Sequence, residues 1–182
     1  MKKLLLTIII IFGFSNATYA AEEGQFRFGV EIGWSPVELE AEDTAQSIAN
    51  ALGETVTTTY DTGVFVGRLF GEYGLSSNTA IEAGYFRTSS ADAKYSAASG
   101  TASESYDVYG FDAALVLSSE GLFGKVGMHS STVDGAANVT IGGTSYAATG
   151  TADGSGLLFG AGYEVDNTRY AITRYNDVGG ID

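Results

Sequence analysis

No cysteine occurs among the 182 residues, proline and histidine occur once each, and only nine lysines and arginines stand against 22 acids. Each shortage excludes something. A chain without cysteine is held together without disulfides, even in an oxidising compartment. A formal charge of -13 leaves no basic footprint for nucleic acid. Such acidity suits surfaces and loops that face water rather than one named partner. Beyond residue 20, no apolar run is long enough to cross a bilayer as a helix. What the chain has instead is 25 glycines, 11 tyrosines and 10 phenylalanines. That mixture suits curving strands and interfaces that accept amphipathic rings.

Residues 1–20 read as an export signal. Lys2 and Lys3 form a basic start, residues 4–14 an apolar stretch, and Thr18-Tyr19-Ala20 a tolerable small-x-small cleavage site. A membrane anchor is the competing reading, but 11 mostly apolar residues cannot span a bilayer as a helix. Removing the signal leaves 162 residues, one domain's worth, with seven cations against 22 acids and a formal charge of -15.

The remaining chain repeats one grammar: about ten residues that alternate apolar with small or polar, then a break. Phe26, Phe28, Val30, Ile32 and Trp34 share one face, and Arg27, Gly29, Glu31 and Gly33 the other. Tyr109, Phe111, Ala113, Leu115 and Leu117 oppose Gly110, Asp112, Ala114 and Val116. Leu122, Gly124, Val126 and Met128 oppose Phe123, Lys125, Gly127 and His129, while Leu157, Phe159, Ala161, Tyr163 and Val165 oppose Leu158, Gly160, Gly162 and Glu164. A two-residue period marks a strand. In 64–74 and 79–87 the polar face carries Arg68, Glu72 and Glu82 but shares it with Val64, Val66, Phe70 and Phe86. Near 168–176 the pattern does not decide which face holds Arg169 and which Arg174. Seven strands are expected, at about 26–34, 61–74, 79–88, 106–118, 122–133, 153–165 and 168–176.

The breaks are of two kinds. Ser76-Ser77-Asn78, Ser118-Ser119-Glu120 and Asp166-Asn167 read as tight hairpin turns, whereas 35–60, 88–105 and 130–153 are long and rich in small, polar and acidic residues. Asp43 is expected to cap a short helix that runs through Leu52 and stops at Gly53. Residues 138–146 read as a hairpin turning at Gly142-Gly143, which lengthens the fifth and sixth strands. Short turns at one end and long connections at the other is the asymmetry of an outer-membrane barrel.

A soluble sandwich alternates too, but here the polar faces combine opposite charges with glycine, and aromatics sit near the ends of the apolar faces. A sheet that spans lipid must close, because no water satisfies an open edge. Eight tilted strands close around an interior just filled by side chains. The expected fold is therefore all-β: an antiparallel up-and-down transmembrane β-barrel of the eight-strand type over 21–182. About seven strands are present, and the closing strand is expected to lie beyond Asp182. Gly63-Val64-Phe65-Val66-Gly67 through Ile81-Glu82-Ala83-Gly84-Tyr85 resembles the second and third strands of small OmpA-type outer-membrane barrels. Gly160-Ala161-Gly162-Tyr163-Glu164-Val165 and Arg174-Tyr175-Asn176-Asp177-Val178-Gly179 are similar to their sixth and seventh. The resemblance covers most of 26–179, through motifs shared by many barrel families. Where it departs is the end, which lacks the terminal aromatic strand such proteins present to the assembly machinery.

The site singled out is the set of inward charges: Arg27, Glu31, Arg68, Glu72, Glu82, Asp112, Lys125 and Glu164. In a narrow lumen such ions must pair, giving a structural network; a gated ion path through the same residues is the alternative. His129, with Ser130 and Ser131, resembles the His-x-Ser pair of lipid A deacylase barrels. Its parity is inward, however, and no carboxylate orienter is apparent. Glu38, Glu40, Glu42 and Asp43 lack calcium-site spacing, and Asn138-Val139-Thr140 is a sequon that carries little in a bacterial chain. No cofactor or metal is expected. The resemblance implies a structural and surface-interaction role in the envelope rather than an enzyme. Its partners would be outer-membrane lipid, the barrel-assembly machinery and an extracellular ligand met by the loops. A small passive channel and a lipid-modifying enzyme are the other readings.

Overall fold

The computed structural model describes residues 9–15, 22–37, 41–166 and 168–180. Lys2, Lys3, the Thr18-Tyr19-Ala20 site, Glu38, Glu40 and Asn167 lie outside them. The chain forms β1 (Ile9–Ser15), β2 (Phe26–Pro36), α1 (Ala41–Leu52), β3 (Thr57–Tyr60), β4 (Gly63–Ser76), β5 (Thr79–Thr88), β6 (Ala91–Ala97), β7 (Gly100–Ser119), β8 (Leu122–Ile141), β9 (Thr144–Val165) and β10 (Thr168–Tyr175). A 3₁₀ turn, Val178–Gly180, follows. Apart from α1 and that turn, the regular structure of the described residues is all β.

Every pairing between strands is antiparallel. β2 pairs with β4, β4 with β5, β5 with β7, β7 with β8, β8 with β9 and β9 with β10. β1 lies between β10 and β2, so the sheet curls round until its pairings run in a circuit. β6 pairs with the first residues of β7, and β3 pairs with β6.

The curl has two physically different sides. Along β4 the residues alternate between buried and exposed almost without a break. The inner side holds Val64, Val66, Arg68, Phe70 and Glu72, and the outer side Phe65, Leu69 and Tyr73. The outer side is broadly apolar, with Phe28, Ile32, Phe111, Leu122 and Met128 each more than half exposed.

The ends of the sheet differ as well. Two-residue turns at Ser77-Asn78 and Glu120-Gly121 close one end, together with the connection through Asp166. Glu120 and Gly121 both have positive φ, 50° and 85°, the backbone of a turn whose twist matches its strands. The turn expected at Ser118-Ser119-Glu120 therefore sits further along, where a glycine accepts that geometry. The other end carries α1, β3, β6 and the hairpin turning at Gly142-Gly143, with φ of 56° and 83°.

Of the three long segments, 35–60 holds the expected helix and 130–153 the expected hairpin turning at Gly142-Gly143, whereas the strand structure in 88–105 is not expected from the sequence. Residues 35–60 include α1 and β3, 88–105 include β6 and the start of β7, and 130–153 are largely β8 and β9. The alternation in 88–105 is carried by small residues, with Ala91, Ala93 and Tyr95 buried, so its contrast is weak in the sequence. The helix begins at Ala41, which puts Asp43 inside the first turn rather than at the cap. Its acid suits the positive end of the helix dipole. Gly53, at φ 69°, ends the helix, and the Ala49 carbonyl accepts from both Gly53 and Glu54. Ala45 packs with Ala93 and Tyr95 to seat α1 on β6. Burial and the negative charge of Glu104 push the Tyr95 hydroxyl up, against a hydrogen bond with Thr44 that lowers it.

β1 changes the account of the first twenty residues. A run of isoleucines and phenylalanines suits a strand as well as the apolar part of a leader. Here it satisfies backbone groups on the facing edges of β2 and β10. A chain lacking residues 1–20 exposes those edges. Refolded in the same detergent, it should unfold at a lower urea concentration than the full chain; equal midpoints would show that the seam does not depend on β1.

Candidate functional site

Inward parity concentrates charge in one layer of the curl. Arg27 stands opposite Glu72 across β2 and β4, Glu31 opposite Arg68, and Glu72 opposite Glu82 across β4 and β5. Asp112 comes from β7, Lys125 from β8, Glu164 from β9 and Arg169 from β10. All nine are at most 5% exposed, and Glu31, Glu72 and Glu82 are fully enclosed.

Two arginines connect the layer. The Arg68 guanidinium grips Asp112 bidentately, Nε to Oδ2 at 2.9 Å and Nη2 to Oδ1 at 2.6 Å. It also donates to Glu31 Oε2 and Glu82 Oε1, each at 2.8 Å. Arg169 reaches four carboxylates: Glu72 Oε2 at 2.9 Å, Glu164 Oε2 at 3.4 Å, Glu31 Oε1 at 3.6 Å, and Glu82 Oε2 in a short hydrogen bond. Arg27 joins Glu164, through both carboxylate oxygens, to Glu72 at 2.9 Å. Lys125 Nζ lies 3.3 Å from Glu82 Oε1, and the Tyr175 hydroxyl donates to Asp112 Oδ2 at 2.9 Å. Four cations thus neutralise all but one of five carboxylates in a single connected network. A fork of five N–H donors makes arginine suited to bridging several carboxylates at once.

Glycines on the inner side make room for these large groups. A Cβ at Gly84 would come within 2.7 Å of Arg68 Nε, and one at Gly160 within 2.8 Å of the Lys125 stem. The aromatic rings support the layer too. Phe70 lies 5.2 Å from Arg68 and 4.9 Å from Arg169, and Phe123 lies 4.6 Å from Arg169.

Apolar packing bounds the layer at both ends. Toward the tight turns lie Ala80, Val116, Phe123 and Ala171. Toward the helix end lie Val64, Val66, Phe86, Val108, Val133 and Tyr175, covered by Val178 of the C-terminal turn. A water-filled path through the network would leave its side chains exposed along the way, and they are enclosed. The arrangement is suited to neutralising charge in a packed interior, with a cavity at the tight-turn end that reaches Phe123 and Glu164.

The eight charges read from alternation lie together in this one layer. Arg169, which the alternation left unassigned, joins them through four carboxylates, while Arg174 is exposed. The signal that finds Arg169 is the turn: a two-residue connection at 166–167 sets residue 169 opposite Glu164, as observed. Tyr175 and the covering segment 176–180 carried no comparable signal.

His129 lies above the layer. Its Nε2 is 2.6 Å from the Asn176 carbonyl oxygen, and its ring packs against Tyr175 and Phe86. Ser131 is buried and accepts from the Gly179 N–H at 3.0 Å, whereas Ser130 is exposed. Asp112 pairs with His129 in register, but its oxygens are held by Arg68 and Tyr175. The His-x-Ser spacing therefore brings no orienting carboxylate to the imidazole. Among the described residues, no group of three or more His, Asp or Glu is placed to hold a metal ion.

No family model, curated protein or solved structure matches the chain.

Removing one member of a buried ion network strands its partners, at a cost of about 3–5 kcal/mol in a dry site. Arg169→Met should show that loss in urea unfolding, while Arg174→Met, on the exposed face, should stay within roughly 0.5 kcal/mol. Equal effects would deny Arg169 its central position.

Proposed function

We propose that this chain is a small outer-membrane β-barrel of the OmpA type, anchored by its apolar exterior, that presents its helix and long hairpins for contact outside the cell. The observation that carries the reading is the inverted distribution: ions inside, large apolar side chains outside. A water-soluble sheet turns such residues inward, and soluble proteins rarely expose a continuous apolar surface. Phe26 and Tyr73, 4.6 Å apart, lie toward the tight turns, and Tyr85 and Phe111, 5.1 Å apart, toward the other end. Rings at both ends suit the two interfaces of a bilayer. The seven strands β2, β4, β5, β7, β8, β9 and β10 curl into most of a circuit that β1 completes. Once β1 is removed by export, the gap between β10 and β2 needs another strand, because lipid requires any spanning sheet to close.

Outer-membrane lipid is then the surrounding medium, the assembly machinery the folding partner, and an extracellular ligand the target of the loops. The enclosed charge layer favours a structural plug over a passive channel. Export through residues 1–20 and retention of Ile9–Ser15 as β1 exclude each other in one molecule. Export predicts a mature chain beginning at Ala21; recovery of Met1 from the folded protein would make β1 permanent.

Leu115 lies on the outer face of β7, four residues before its end at Ser119 and within the stretch of about ten residues next to the tight turn that a bilayer crossing takes. Leu115→Arg should cost about 2–4 kcal/mol when refolded in vesicles, and unchanged stability would remove β7 from the lipid face. Cysteines introduced at Ser47, Ala97 and Ser145 should label on intact cells, while those at Ser77 and Ser119 should not. Reversed labelling would invert the orientation. In planar bilayers the chain should give no steady current, and lipid A mass spectra should be unchanged by its expression. A steady current that Glu82→Gln shifts in selectivity would instead establish the channel reading.

A further inference from the structure

β9 is paired very unequally along its two edges. Against β8 it pairs from Thr144 to Tyr163, but against β10 only from Leu158 to Val165. The C-terminal turn covers a little more: Asn176 N–H donates to the Leu157 carbonyl, and Gly180 N lies against Gly154. Along residues 144–152 the second edge has no strand partner among the described residues. Alternate backbone N–H and C=O groups there are open to another chain. Sheets ordinarily guard such an edge with lysine, proline, a bulge or brevity. This one has none of these: residues 135–152 contain no charged residue and no proline, in a chain of formal charge -13.

We propose that this edge of β9 is a strand-docking site for a second copy of the same chain, joined edge to edge and antiparallel. Copies of so acidic a molecule repel each other, and the uncharged hairpin is where that repulsion is least. Antiparallel pairing of identical strands is self-complementary about a two-fold axis. The side chains beside the edge are small, among them Ala147, Ala148, Gly150 and Ala152. A two-fold at Ala148 sets Tyr146, 64% exposed, opposite Gly150. It also brings residues 147 and 149 opposite each other across the junction.

Orientation follows from strand direction. Antiparallel pairing reverses the second copy, so the two anchored ends point away from each other. Resting on the membrane reading above, the contact therefore joins two facing membranes rather than two neighbours in one. The partner is another cell's copy of this protein.

Two-colour vesicles carrying the protein test this, with flotation reporting insertion. Vesicles bearing the wild-type chain should cluster. Ala147→Glu with Thr149→Glu should lower clustering roughly tenfold or more, since like charges then stand opposite each other. Ala147→Lys with Thr149→Lys should do the same, and mixing the Glu vesicles with the Lys vesicles should restore it. Loss of fold does not predict that restoration. Inserted wild-type protein that fails to cluster, or Glu and Lys variants that cluster alone, would overturn the proposal. If the chain fails to insert, sedimentation in detergent reads the same contact. A dimer lost in the Glu variant and restored by mixing keeps the edge contact while the membrane reading fails. A monomer at every concentration overturns the edge contact.

Discussion

Buried ions cannot be left unpaired, and the rest of this structure is arranged around that constraint. Arg169 alone reaches four carboxylates drawn from β2, β4, β5 and β9. Arg68 reaches three, from β2, β5 and β7. Each of these acids is far from its partner in sequence or lies across a turn from it, so the network forms only when the sheet has curled. The curl is specified by charge pairing in its middle as much as by apolar packing at its ends. A one-residue slip of any strand would turn its ion outward and a Leu or Phe inward. Register errors are therefore costly on both sides of the sheet at once.

Packing and electrostatics meet at the inner glycines. A guanidinium over Gly84 and a lysine stem over Gly160 occupy space that any other residue would fill. Phe70 and Phe123 then place ring faces against the same cations. Apolar layers above and below withhold water, which strengthens each ion pair and raises the cost of breaking one.

Much of this was legible in the sequence because a period of two is a strong signal. Where faces differed sharply, as in 26–34 or 122–129, alternation assigned both sides. It did not assign Arg169, whose neighbours mix apolar and polar on both faces; the turn preceding it carries the missing information. The segments around β6 and the far parts of β8 and β9 were harder, since alanine, serine and threonine barely distinguish inside from outside. Asp43 read as a cap because its residue type suits one, yet the helix begins two residues earlier. The apolar stretch in residues 9–15 is ambiguous in principle: a leader's apolar region and a short β-branched strand have one composition. Only the edges of β2 and β10 distinguish the uses.

The interior network also governs the outside. Of seven cations beyond residue 20, four are enclosed with five of the 22 acids. Three cations and 17 acids are left for the exterior and the connections. Such a molecule behaves toward any other anionic body as a polyelectrolyte whose repulsion is set by the ions around it. At physiological salt that field decays over about 8 Å. From Gly135 to its turn at Gly142 the neutral hairpin extends about 23 Å, at about 3.3 Å per residue. Its tip stays inside that field, since Gly142 N–H donates to the Ser99 carbonyl and Ser99 N–H to the Glu54 carboxylate, so the salt of the medium sets the repulsion felt along the whole length of the hairpin.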